Sequence, residues 1–173
     1  MTKLRFMVLI VVAGAAVIAA SSVATAAETA EHAKIVPFTA KYAGTAVVQV
    51  TDTIADISAN GAGTATLIGA GKITGKGTGN TAEQPCVPFT GTGTIVGKAG
   101  RKLNFTVVPG STGCGDAEGQ VFSIVARAKV TGGAGKISGG ATLKKARGSL
   151  KMTGVYDRGA GTFSIKINGK LTV

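Results

Sequence analysis

The sequence predicts an all-β fold, an antiparallel up-and-down β-barrel of about eight strands, from three observations. In Gly61–Gly77 every odd position is Gly, Ala, Leu or Ile, and in Thr162–Val173 the odd positions are again apolar or Gly. Side chains alternate across a strand, so this period of two indicates strands with one buried face. After residue 26 no stretch has the apolar period of a helix of ten or more residues. Short turn signals separate the alternating runs, which favours antiparallel neighbours.

The same alternation defines the individual elements in order. We predict strands over Ile35–Val50 (with a possible break near Gly44), Gly63–Gly69, Gly71–Gly77, Thr90–Gly97, Lys102–Val108, Gln120–Val130, Ala141–Lys145, Ser149–Tyr156 and Thr162–Val173. Residues that permit positive φ predict turns at Ala59–Gly61, Lys98–Gly100, Pro109–Gly115, Thr131–Gly135 and Asp157–Gly161. A further turn at Asn168–Gly169 would split the last strand into a small hairpin.

Glycine distinguishes the two architectures that such strands allow. A two-sheet sandwich and a closed barrel both fit eight to ten short strands. Gly makes up 26 of the 147 residues after position 26 and repeatedly occupies the buried parity. Inward Gly eases the coiling that closure requires, so the barrel is favoured. Apolar residues interleaved with the Gly argue against disorder, because they can form a core.

The N-terminal residues 1–26 are typical of a cleaved signal peptide. Lys3 and Arg5 precede the apolar run Phe6–Ala20, and small residues lead to a cleavage site between Ala26 and Ala27. The alternative is a retained membrane anchor, but the apolar run is short of the about 20 residues that a span needs. We therefore expect a flexible tail over residues 27–34, a barrel domain over residues 35–173, and a secreted or cell-envelope-associated protein.

The only cysteines are Cys86 and Cys114. In an exported chain a single pair predicts one structural disulfide. Both lie in turn-rich sequence, so the bond is expected to join two loops. Neither has the CxxC spacing or the thiolate-stabilising neighbour that a redox role requires.

Charge is unevenly distributed along the chain, whose formal net charge is +11. Residues 27–97 carry a net charge of −1 and residues 98–173 a net charge of +10. Such a basic half suits an anionic cell-envelope polymer or lipid, or is simply a solvated outer face. Trp is absent and aromatic residues are few, which argues against nucleic acid as a partner.

Catalytic and metal-binding motifs are missing from the sequence, and we expect no cofactor and no metal. The only histidine, His32, falls in the predicted tail, which disfavours His-based catalytic and metal sites. Asp116 and Glu118 could bind Ca²⁺, although two carboxylates in a Gly-rich loop are more typical of a solvated turn. Tyr156 shares parity with Leu150 and Met152, so we expect it to point into the barrel near one mouth. It is the candidate ligand-binding residue, the alternative being a core-capping tyrosine.

One segment resembles a known family. Val130–Ile137 (VTGGAGKI), followed by Ala146–Leu150 (ARGSL), is similar to the GGTG(K/R)F…A.G signature of allene oxide cyclase and dirigent-like barrels, which include small exported bacterial members. Ala134 replaces the usual Thr, and the segment before Gly148 is several residues longer. The resemblance implies an eight-stranded calycin-type barrel with an apolar interior, often oligomeric. It transfers no catalytic residue to this chain.

Three functional hypotheses follow, and none is an established activity. The first is non-catalytic binding of a small apolar ligand inside the barrel. The second is an allene oxide cyclase-like or dirigent-like enzyme acting on a small hydrophobic substrate. The third is a cell-envelope structural protein that contacts anionic polymers through its basic C-terminal half. The first two require an open cavity with polar groups converging in it.

Overall fold

Eight antiparallel strands close into a barrel, as the sequence predicts. The computed structural model describes residues 33–173, so the predicted signal peptide, the Ala26–Ala27 cleavage site and His32 lie outside the described residues. The strands are β1 (Ile35–Thr51), β2 (Ile54–Ala65), β3 (Gly69–Asn80), β4 (Cys86–Gly97), β5 (Lys102–Gly115), β6 (Val121–Ala134), β7 (Arg147–Asp157) and β8 (Thr162–Thr172).

Each strand pairs with its neighbours in sequence, and β1 pairs with β8 to close the ring. The closing register runs from Ile35 opposite Thr172 to Thr45 opposite Thr162. Beyond it, the backbone N–H of Lys34 donates to the carbonyl of Val173 at 3.0 Å, and the N–H of Val173 donates back at 2.9 Å. The sandwich alternative is therefore excluded.

The apolar core fills one half of the barrel, which we call the closed end. There the strands contribute buried side chains that include Phe38, Ile95, Leu103, Leu150, Ile167 and Leu171. Ile68, from the β2–β3 connection, and Leu143, from the β6–β7 connection, are also completely buried and belong to the same core. The connections at the opposite end surround an opening, which we call the mouth.

Several predicted turns are instead strand interior. Ala59–Gly61 lies within β2 and Asn168–Gly169 within β8, each paired on both sides. A Cβ on Gly61 would meet the Phe163 ring at 2.8 Å, and one on Gly169 would meet the Leu150 side chain at 2.9 Å. These glycines therefore serve close packing, not chain reversal. The predicted break near Gly44 is likewise absent, since β1 is continuous.

The other boundary errors have local causes. In Pro109–Gly115 the predicted turn is a bulge inside β5, where the Ser111 hydroxyl donates to the Val108 carbonyl at 2.8 Å and accepts from the Arg127 N–H at 3.1 Å. Thr131–Ala134 continues β6, so only Gly135 of that predicted turn leaves the strand. The predicted strand Ala141–Lys145 is part of the β6–β7 connection, which makes a single bridge between Lys136 and Thr142.

Within residues 33–173 the only helical segment is a 3-10 turn at Lys98–Gly100, and its central residue Ala99 is left-handed, with φ of 55° and ψ of 34°. Among these residues no helix has the length and apolar character needed to cross a membrane.

Candidate functional site

A cavity of about 430 Å³ occupies the mouth half of the barrel. It lies on the mouth side of the packed core, where the inner wall is built mainly from apolar residues. Its apolar lining comes from all eight strands and includes Ala46, Val48, Ile57, Ile73, Phe89, Phe105, Val107, Phe122, Ile124, Met152, Phe163 and Ile165. The interior is therefore partly filled and partly open.

Inward glycines account for this division. Toward the closed end, the Tyr42 ring occupies the space that a side chain on Gly63 would fill. The Phe105 ring does the same at Gly93. By contrast, a Cβ on Gly75 would meet only the Thr92 carbonyl oxygen at 3.6 Å, and a Cβ on Gly113 would meet nothing within 4 Å. Gly75 and Gly113 both line the cavity, so here the missing side chains leave open volume.

Tyr156 lies where the alternation places it, on the inner face of β7 near the mouth. It is half-buried, lines the cavity and packs against Phe122, with the ring centroids 6.2 Å apart and the rings inclined by 40°. Strand register brings the two together, because Tyr156 is opposite Phe122 on β6. Its role as a ligand contact remains a prediction.

Polar residues from two connections join the lining at the mouth. Gln84 and Thr81 come from the β3–β4 connection, and Arg158 comes from the β7–β8 turn. The Arg158 backbone N–H donates to the Gln120 carbonyl at 2.8 Å, which ties two mouth connections together. The cavity thus combines an apolar interior with amide, hydroxyl and guanidinium groups at its entrance, an arrangement typical of small-molecule pockets.

The Cys86–Cys114 disulfide is confirmed. The prediction that it joins two loops is wrong, because both cysteines lie in strands and are directly opposite each other in the β4–β5 ladder, with Cα atoms 3.9 Å apart. The bond lies on the mouth side of the β5 bulge. It joins β4 and β5 in the stretch of ladder between the mouth and the register interruption, which lies between Phe89 and Gly91.

The acidic loop that could bind Ca²⁺ is a hydrogen-bonded turn. An Asp116 carboxylate oxygen accepts from the Gln120 N–H at 2.8 Å, and Asp116 and Glu118 are both exposed. Within residues 33–173 no group of three or more His, Cys, Asp or Glu side chains is placed to hold a metal ion.

Tyr42 is a polar group that the sequence analysis did not identify. Its side chain is only 2% exposed, and its hydroxyl has no hydrogen-bond partner among the described residues. Burial raises the pKa of the Tyr42 phenol above its ordinary value near 10, because the phenolate would lose its hydration. The inward parity of β1 already indicated that Tyr42 faces the core; its missing partner could only be seen in three dimensions.

The arrangement limits the chemistry available inside the barrel. Among the described residues that line the cavity there is no carboxylate, imidazole or thiol, and the ionisable groups are those of Lys76, Tyr156 and Arg158. Lys76 alternates outward on β3 and is exposed. A phenol and a guanidinium at the entrance can orient a polar atom of a ligand by hydrogen bonds.

Comparison of this chain with protein-family models, with curated proteins and with solved structures finds no match.

Proposed function

We propose that this protein is an exported barrel that binds a small apolar molecule without transforming it. The observation that carries the proposal is the cavity of about 430 Å³, which is lined mainly by apolar side chains. This volume falls in the range of about 300–1,000 Å³ that is usual for ligand pockets. Its apolar wall favours a ligand whose own surface is mostly hydrocarbon, since burial of apolar area drives such binding.

Export is supported by two independent features. The disulfide between Cys86 and Cys114 is consistent with an extracytoplasmic location. Residues 1–26 have the composition of a secretory signal.

The polar groups at the entrance favour one orientation of the bound ligand. Tyr156 and Arg158, which are two positions apart in sequence, line the cavity, and Gln84 lines it from the β3–β4 connection. A ligand with one hydrogen-bonding atom would place that atom at the entrance and its apolar body against Phe105 and Ile73. Tyr156 would then contribute both ring contact and a hydroxyl.

An allene oxide cyclase-like or dirigent-like enzyme is the second candidate. The closed eight-stranded barrel and the position of Tyr156 support it. The binding function is favoured because the residues of 33–173 that line the cavity offer a phenol and a guanidinium but no carboxylate or imidazole to act as a partner in acid–base chemistry.

Filling the cavity from its wall tests the proposal. Gly113→Leu places a side chain in open volume, whereas Ser164→Leu adds the same side chain to the exposed outer face of β8. Titration with a neutral naphthylamine dye should show binding to the parent protein and to Ser164→Leu. Gly113→Leu should weaken binding about tenfold or more, a difference of about 1.4 kcal/mol.

Native mass spectrometry of the parent protein from its own host would identify a co-purified ligand and the number of subunits. Equal dye affinity in both leucine variants, with both folded as judged by circular dichroism, would contradict binding in the cavity.

A further inference from the structure

Charge in this protein is sorted by barrel end rather than by half of the sequence. Six exposed basic residues lie at the closed end, in its connections or at the adjoining strand end, and we call them the basic end: Lys34, Lys98, Lys136, Lys144, Lys145 and Arg147. The half-buried Arg101 and Lys102 lie beside them. No acidic residue occurs in these closed-end segments, residues 33–35, 66–68, 98–102 and 135–147.

The mouth has the opposite character. All six acidic residues of the described chain lie in mouth connections or in the mouth-side ends of the strands: Asp52, Asp56, Glu83, Asp116, Glu118 and Asp157. Among the mouth connections themselves, the only basic residue is Arg158. The molecule therefore has a positive end and a negative end along its barrel axis.

The basic end forms an arc over one half of the ring, from the β4–β5 connection through the β6–β7 connection to the β1–β8 seam, and the β2–β3 connection, residues 66–68, carries no basic residue. Lys34 lies at the β1–β8 seam, Lys98 lies in the β4–β5 connection, and the other four residues lie in or next to the β6–β7 connection. In a ring of eight strands the β4–β5 connection is opposite the β1–β8 seam. A flat surface with distributed negative charge can meet all of these groups at once, whereas a linear polyanion meets one side at a time.

The chemistry of these side chains also favours a charged surface whose anions have no fixed arrangement, such as the headgroups of a lipid bilayer. Five of the six are lysines, whose ammonium groups are hydrated point charges on flexible stems, not the planar forks that recognise one anion geometry. The connections 98–101 and 135–146 contain no aromatic residue, and the tips carry Ala99, Gly100, Gly139 and Gly140. Attachment through these two connections would therefore be electrostatic.

We propose that the basic end docks on the surface of an anionic lipid bilayer and that the mouth faces away from it. The carboxylates at the mouth oppose the reverse orientation, because they would be repelled by the same surface. The cavity entrance stays open to solvent while the protein is attached. This inference does not depend on what the cavity binds.

Vesicle co-sedimentation tests the docking, using the protein as it accumulates in an expressing host, with its N-terminus read by mass spectrometry. The end variant replaces Lys98, Lys136, Lys144 and Lys145 by Gln. The matched wall variant replaces Lys76, Lys129, Lys151 and Lys166 by Gln, and these four are exposed on the outer faces of strands. Both variants lose the same formal charge, and both keep the same residues 1–32.

The parent should bind phosphatidylcholine vesicles only when they contain phosphatidylglycerol, and about 1 M salt should release it because the screening length falls to about 3 Å. Each basic group near a charged surface contributes roughly a fivefold change in partitioning, so the loss of four groups should weaken binding of the end variant by about 600-fold if all four lie at the surface. The wall variant should lose less than about fivefold, since its lysines lie farther from the surface.

Equal losses in the two variants would overturn the assignment to the basic end, as would parent binding that does not depend on phosphatidylglycerol. Binding to soluble polyphosphate but not to vesicles would overturn the choice of a bilayer. Orientation is tested by the variant Glu83→Gln with Glu118→Gln at the mouth. It should bind vesicles within about twofold of the parent, and a gain of about tenfold or more would show that the mouth faces the lipid.

Discussion

Single glycines on the inner wall decide where this barrel is solid and where it is open. Gly63 and Gly93 are covered by rings from facing strands, while Gly75 and Gly113 face the cavity. The alternation in the sequence places Gly63 and Gly75 on the buried parity, whereas Gly113 falls in the predicted turn Pro109–Gly115, which belongs to β5. It cannot say which of them faces a ring, because the facing residue belongs to another strand and its rotamer depends on the whole interior.

Tyr42 shows the same limit for a polar side chain. An unpaired buried hydroxyl costs about 1–3 kcal/mol, so Tyr42→Phe should raise the free energy of unfolding by about 1 kcal/mol at neutral pH. Urea denaturation of the two proteins measures the difference. A loss of stability in Tyr42→Phe would instead show that the hydroxyl has a partner, such as a bound water molecule.

We also expect the parent and Tyr42→Phe to differ in how their free energy of unfolding depends on pH, and the sign of this difference is defined. Burial raises the pKa of Tyr42 in the folded state, so above about pH 10 the unfolded chain loses this proton first and the folded state loses stability. As far as Tyr42 is concerned, the folded state has its full stability below the pKa of the unfolded chain. It loses stability as the pH rises toward the pKa of Tyr42 in the folded state. The advantage of Tyr42→Phe should therefore widen above pH 10 and stay constant below pH 9.

At the level of strands and connections, sequence reasoning found most of the elements but shortened many of them, and its predicted strand Gly63–Gly69 is wrong because it runs across the β2–β3 connection at residues 66–68. It ended or interrupted strands at Asn60–Gly61 and Pro109–Gly110, where dipeptides typical of turns occur. Gly61 is inside β2 because a ring packs on it, and Pro109–Gly110 is absorbed by a bulge that the Ser111 hydroxyl bridges. Turn propensity is local, and in both places pairing with neighbouring strands on each side prevails.

The disulfide is an element-scale constraint on the mouth. Its two cysteines are 28 residues apart in sequence, and on the chain-entropy model closing such a loop stabilises the folded state by about 3–4 kcal/mol. Replacing both cysteines by Ser should lower the free energy of unfolding by about that amount while the closed-end core keeps the barrel folded. Chemical denaturation with and without a reductant measures the effect.

The double Ser variant serves as its own control, because a reductant should not change its stability further. A loss of less than about 1 kcal/mol would show that the unfolded chain is already restricted in this region.

In the whole molecule, the distribution of charge differs from the one that the linear sequence suggests, because the ring brings distant segments to the same end. The sequence divides into a slightly acidic first part and a basic second part. Up-and-down topology brings every second connection to the same end, so Lys34 joins Lys144 while Asp52 joins Asp116. The eight-stranded barrel was predictable from alternation and turns. The charge separation along its axis was not, because predicting it requires the boundaries of the β3–β4 and β5–β6 connections.

Closure also makes the position of the chain break arbitrary for the barrel. Lys34 and Val173 exchange two backbone hydrogen bonds, so a short linker from Val173 to Ala33 could join them, and the chain could be opened in the exposed β3–β4 connection between Ala82 and Glu83. Such a circular permutant should keep the Cys86–Cys114 bond, the far-ultraviolet spectrum and dye affinity of the parent. Failure to fold would mean that the order in which strands are made matters. Correct folding of the permutant would mean that only the order of the strands around the ring matters.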